Sequence, residues 1–134
     1  MKKLIYILWR AEDSSRAEFA AALLQEVAPR FVALGAAKLS VLIEDEFAAQ
    51  VARARITKLA WPPSAMLAFW LPSLAARAPY EAILDEFCAQ FAGRYAGYHV
   101  EESRPLENTT HRASVGERTP GITMLSLLER PARI

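Results

Sequence analysis

Leu4-Ile5-Tyr6-Ile7-Leu8-Trp9 is a continuous apolar run rich in β-branched and aromatic residues. It reads as a strand covered on both faces. Just beyond it, Ser14 and Ser15 offer a helix N-cap, and Glu18 stands three residues after Ser15, the spacing of a capping box. Phe19, Leu23 and Val27 then recur at intervals of four, with Ala20 and Leu24 beside them. This spacing predicts a helix with one apolar stripe, ending near Pro29. After Gly35, Leu39-Ser40-Val41-Leu42-Ile43 reads as a second strand.

The middle of the chain continues the alternation. Residues 47–56 are Ala-rich and fit either a short helix or an ordered loop, and Trp61-Pro62-Pro63 stops any helix there. Met66 to Leu71 is a third strand closed by Pro72. Pro79 opens a second helix, whose apolar positions Ile83, Leu84, Phe87, Cys88 and Phe91 keep the helical period up to Gly93. Tyr95 to Glu102 reads as a fourth strand, and residues 103–116 as a polar connection. Ile122 to Leu128 is a candidate fifth strand.

The order β-α-β-β-α-β is that of an α+β, ferredoxin-like domain, an antiparallel sheet with both helices on one face. Residues 1–134 are read as one such domain, with 103–134 as its connecting loop and extra C-terminal strand. Strands one and three are apolar on both faces, so the face turned away from the helices needs a cover. Pairing of two sheets into a dimeric barrel supplies one, making a homodimer the expected partner state. A pocket between sheet and loops supplies the other.

Composition narrows the function classes. Sixteen Lys and Arg against fifteen Asp and Glu leave a net charge of +1. A protein that binds nucleic acid or an anionic membrane by electrostatics needs a basic surplus, so neither partner is expected. One cysteine allows no internal disulfide, and with two histidines it makes a zinc site hard to assemble. Hydrophobic residues reach 53%, but 25 of the 134 residues are alanine. No apolar stretch is long enough for a signal-peptide core or a transmembrane helix, so a cytoplasmic location is the expectation. Dinucleotide, phosphate-loop, H-E-x-x-H and G-x-S-x-G motifs do not occur, and no cofactor is expected.

Three segments resemble the EthD-like proteins of the dimeric α+β barrel superfamily. Leu4–Arg10 leading into Ser15-Arg16-Ala17-Glu18-Phe19 looks like the family's first strand, ending in Arg, and its Ser-x-x-Glu-Phe helix start. Val27-Ala28-Pro29 stands where the family commonly has His-Ala-Pro, and Gly116-Glu117-Arg118-Thr119-Pro120-Gly121 is similar to a hexapeptide of tandem members. Met124–Arg130 also repeats the pattern of Leu4–Arg10, as the start of a second repeat would. The resemblance implies a ferredoxin-like dimer acting without cofactor on an aromatic or hydrophobic metabolite. Val27 replaces the family's proton-transfer histidine, which shifts the implied role toward ligand binding or partner association.

The residues able to carry a site are few. Arg10, at the mouth of the first strand, suits a carboxylate or phenolate, or else a surface ion pair. His99 suits a general base, or a hydrogen-bonded structural role; it neighbours Tyr98, and the two point to opposite faces of the fourth strand. Under the resemblance Arg10 would orient an oxyanion and His99 would move a proton. Trp9, Trp61, Trp70 and Tyr98 are candidates to line an aromatic pocket, with Arg118 from the hexapeptide loop. The other reading of Trp9 and Trp70, together with Phe69, is core or dimer interface. His111 reads as solvated, Cys88 as buried and inert.

Overall fold

In the computed structural model, which describes residues 1–44, 63–91, 93–102 and 113–118, the opening apolar run lies in the middle of a sheet. Strand β1 (Lys2–Trp9) pairs antiparallel with β3 (Ala65–Leu71) on one side and with β4 (Arg94–Val100) on the other. Strand β2 (Ala37–Ile43) pairs antiparallel with β3, giving the order β2-β3-β1-β4. Leu4, Tyr6, Ile7 and Leu8 of this central strand are buried, on both of its faces, which is why its middle carries no polar alternation. The fold is α+β, and its order and connectivity are compatible with a ferredoxin-like domain.

The first helical segment runs past its expected stop. Helix α1 (Arg16–Ala22) is followed without a break by a π-helical turn, Leu23–Val27, and by α2 (Ala28–Ala33). Within the junction the Ala28 N–H donates to the carbonyl of Leu23, five residues back. This wider turn sets Pro29 in the first turn of α2, where its missing N–H and its ring are tolerated. The chain therefore passes a proline without ending the helix. Phe19, Leu23, Val27 and Phe31 stay on one buried stripe. At the start of α1, Ser15 Oγ accepts from the Glu18 N–H at 3.2 Å, as the spacing predicted.

Helix α3 (Ala78–Gln90) follows a 3₁₀ turn, Leu74–Arg77, and buries Tyr80, Ile83, Leu84, Phe87 and Cys88. Both helical segments pack on the same side of the sheet, against Leu4, Tyr6, Leu8, Leu67, Phe69 and Leu71. Aromatic rings hold the centre of this core: Phe31 stands edge-on to Phe69 and Tyr80 at 5.1 and 5.0 Å. The chain divides into two units, Met1–Ser103 and Arg104–Ile134. In the second, the Glu117 N–H donates to the Ser114 carbonyl at 3.0 Å, closing a turn in which Gly116 takes φ +85°. The candidate strand 122–128 and the helix-or-loop segment 47–56 lie outside the described residues.

Candidate functional site

The register of the four strands maps the sheet face turned away from the helices. Paired residues of adjacent strands share a face, and every second residue belongs to it. One row across the sheet reads Leu42, Met66, Ile7, Ala96; the next reads Ser40, Ala68, Ile5, Tyr98. Ala37, Trp70, Lys3 and Val100 close one end, and Trp9 beside Arg94 closes the other. The middle is a second apolar cluster separate from the helix-side core: Ile7 is 1% exposed, Ala68 5% and Met66 9%, with Ile5, Trp9 and Leu42 packed against them. These side chains are buried within a single chain.

A cation lies over the indole at each end of the face. The Arg94 guanidinium stands 4.6 Å from the centre of the Trp9 ring, and Lys3 Nζ stands 5.8 Å from that of Trp70. The two ends differ in charge balance. Lys3 is neutralised by Glu102 at 3.1 Å, whereas among the described residues no carboxylate lies within ion-pair distance of Arg94. They also differ in hydrogen bonding: Trp9 Nε1 is buried, and among the described residues its N–H has no acceptor. Such a group is uncommon, because leaving it unmade costs about 1–3 kcal/mol.

Beside Trp9, Ser64 joins the strand ends. Its N–H donates to the Leu8 carbonyl at 2.8 Å, its carbonyl accepts from the Glu44 N–H at 2.9 Å, and its hydroxyl accepts from the Arg10 N–H at 3.1 Å. The Arg10 guanidinium turns to the backbone of the following loop, donating to the carbonyls of Ser14 at 2.8 Å and Ala11 at 3.3 Å. It thereby fixes the loop that delivers Ser15 to the start of α1.

The helix-side edge of the sheet carries a different polar constellation. Tyr6 donates its hydroxyl hydrogen to Glu81 Oε1 at 2.9 Å, and Tyr95 donates to Asp85 Oδ1 at 2.7 Å. Glu81 is also met by Arg77 Nε at 3.4 Å. Burial, then the hydrogen bond to Glu81, pushes the Tyr6 phenol well above its ordinary range; burial and Asp85 do the same for Tyr95. Burial also raises the Cys88 thiol to about 11, with a smaller contribution from Asp85. A thiol held protonated is a poor nucleophile.

The sequence-derived candidates are distributed unevenly over this map. Trp9, Trp70 and Tyr98 share the face away from the helices, but Trp9 and Trp70 sit at its opposite ends, about 20 Å apart along β1. Tyr98 is 51% exposed beside Ile5. His99 pairs with Leu4 and belongs to the helix side of β4, where it is exposed. Arg10 follows the other end of β1, so six strand residues, again about 20 Å, separate it from His99. Val27, where the resemblance would put a proton-transfer group, is a core position at 2% exposure. Arg118 is exposed in the second unit, and Trp61 and His111 lie outside the described residues.

Arg94 and Ser64 were not distinguished by sequence reasoning. Arg94 is the residue just before the predicted fourth strand, and only the register sets it over Trp9. Among the described residues no group of His, Cys, Asp and Glu side chains is placed to hold a metal ion, and no helix is long and apolar enough to cross a membrane. No protein-family model matches the chain, and no curated protein matches it.

Proposed function

We propose that the chain is a small-molecule-binding protein of EthD-like type, which takes up an aromatic or hydrophobic metabolite on the sheet face turned away from the helices. The observation that carries this reading is the apolar and aromatic surface left partly open on that face by Ile5, Trp9, Leu42, Trp70 and Tyr98 around the buried Ile7, Met66 and Ala68. An apolar floor with a few polar groups at its margin is the usual make-up of a ligand site. The strand order and the shared helix face support the EthD-like part, together with the motif residues of the sequence. No catalytic step is assigned, because a reaction using Arg10 and His99 together would have to span the length of the sheet.

The test is a titration with methylnaphthalene, followed by the backbone amide resonances of β1, β3 and β4. Saturable shifts confined to the rows that contain Ile5, Ile7, Met66 and Ala68 are expected. No saturable shift, or shifts confined to the helices, would remove the reading. Native mass spectrometry of the purified chain checks in parallel for a carried ligand.

Tyr98 favours a second reading, assembly of two copies through the β4 side of the same face, because its large ring is half in solvent beside Ile5. Sedimentation of the chain and of Tyr98→Asp across a concentration series separates the two. A dimer lost in the variant supports assembly, and a monomer throughout overturns it.

A further inference from the structure

Resting on the assembly reading above, we infer that two copies of the chain pair edge to edge through β4, antiparallel and with the twofold axis at Tyr98, so that their sheets join into one. The two strands at the margins of the described sheet, β2 and β4, differ as edges. β2 is broken by a shift of register between Ala37 and Ser40, where Lys38 takes φ +52°. A bulge of this kind blunts an edge against further pairing. β4 pairs with β1 in unbroken register, and its Gly97, Tyr98 and His99 are exposed. Among the described residues no strand lies beyond it.

The phase of the ladder sets which backbone groups β4 offers. The Glu44 N–H donates to the Ser64 carbonyl at 2.9 Å, one step beyond the Ile43–Ala65 pair, so Leu42 and Met66 form the next bonded pair. Alternation carried across β3 and β1 sets the bonds to β4 at Ala96, Tyr98 and Val100. The N–H and C=O groups of Tyr95, Gly97 and His99 therefore point outward. With the axis at Tyr98, Gly97 bonds His99 of the second copy, and the two Tyr98 rings meet as a close cross-strand pair. Arg94 then stands opposite Glu102 of the second copy. The charges match: no carboxylate among the described residues lies within ion-pair distance of Arg94, and Lys3 holds Glu102 on the same face at 3.1 Å. An axis at Gly97 would keep the phase but set Arg94 against Val100 and Tyr98 against Ala96, so the charges and the exposed ring select Tyr98.

The experiment follows amide hydrogen exchange and sedimentation of the chain over one concentration series. As the dimer forms, the Gly97 and His99 amides should become protected, because their outward N–H groups gain acceptors. Tyr98→Cys should cross-link two copies under mild oxidation, whereas Ser40→Cys, on the same face at the β2 edge, should not. Arg94→Glu should weaken the dimer about tenfold, since the axis repeats the altered pair, and adding Glu102→Arg should restore it. A dimer whose Gly97 and His99 amides exchange as in the monomer would overturn edge pairing and leave assembly through the sheet face standing. Protection of those amides without a cross-link in Tyr98→Cys would overturn the axis at Tyr98. A monomer at every concentration would remove the assembly reading along with the inference.

Discussion

Tyr6 reaches Glu81 with its phenol hydrogen, at 2.9 Å, by passing its ring directly over Gly97. The crossing works because β4 carries no side chain at that point: a Cβ on Gly97 would meet Tyr6 Cε1 at 2.6 Å. Strand, glycine and helix carboxylate thus act as one unit, holding α3 to the sheet where Tyr6 and Tyr95 are in edge-to-face contact at 5.9 Å.

Gly97→Ala should therefore destabilise the fold by about 1–3 kcal/mol, the usual cost of forcing atoms into a packed site. Urea unfolding measures it. In a Tyr6→Leu background the same substitution should cost much less, since the ring it strikes is gone. Equal costs in both backgrounds would mean that Gly97 matters for backbone reasons and not for the Tyr6 crossing.

The same contact makes stability fall at alkaline pH. Tyr6 ionises at a higher pH in the folded chain than its ordinary value of 10.0, because burial and Glu81 both oppose the anion. The folded state then holds a proton that the unfolded state has released, so the stabilisation is complete below pH 10.0 and declines above it. The decline is at most about 1.4 kcal/mol per pH unit for one such group. Denaturant midpoints across the alkaline range should show it, and Tyr6→Phe should flatten the curve; an unaltered slope in that variant would assign the effect to other groups.

Much of this architecture was legible in the sequence, because strands and helices are written in local periodicities. Leu4–Trp9 and Met66–Leu71 announced buried strands, and Ser15 with Glu18 announced a helix start. The passage through Pro29 was not legible, since a π turn leaves no compositional mark and the proline rule points the other way. The site was less legible still. Alternation told that Tyr98 and His99 face opposite ways, but only the pairing of Ile5 with Tyr98 tells which residue lies away from the helices. That Trp9 and Trp70 lie at opposite ends of one face, and that Arg94 covers Trp9, depends on register between segments some 60 to 90 residues apart. Local pattern does not encode register.

Arg10 is expected to act through the backbone. Its guanidinium bridges the Ala11 and Ser14 carbonyls and so holds the loop leading into α1. Arg10→Ala should lower stability by about 1–2 kcal/mol, within the range of hydrogen bonds from charged donors, and should expose residues 11–15 to proteolysis. Wild-type resistance of that loop in the variant would show that other contacts hold it.

Cys88 should be unreactive while the chain is folded. Its thiol is buried on α3 and its pKa is raised to about 11, so almost no thiolate exists near neutral pH. Modification by a disulfide reagent is expected to follow the rate or extent of unfolding as urea is added. Rapid modification without denaturant would mean that this part of α3 opens locally.

Ile7 tests how the second apolar cluster is kept dry. Its side chain is 1% exposed in a single chain, between Met66 and Ala96 in the register, on the face away from the helices. If that burial belongs to the monomer, Ile7→Ala leaves a cavity and costs about 2–5 kcal/mol, as for other large-to-small changes in cores. The thermal midpoints of wild type and variant would then be independent of protein concentration. If instead a second copy keeps the face dry, folding and association are linked, and the midpoint of the wild type rises with concentration. Ile7→Ala would then weaken association and shift the midpoint most in dilute solution. A large loss that does not vary with concentration is the expected result, because the cluster around Ile7 closes within one chain.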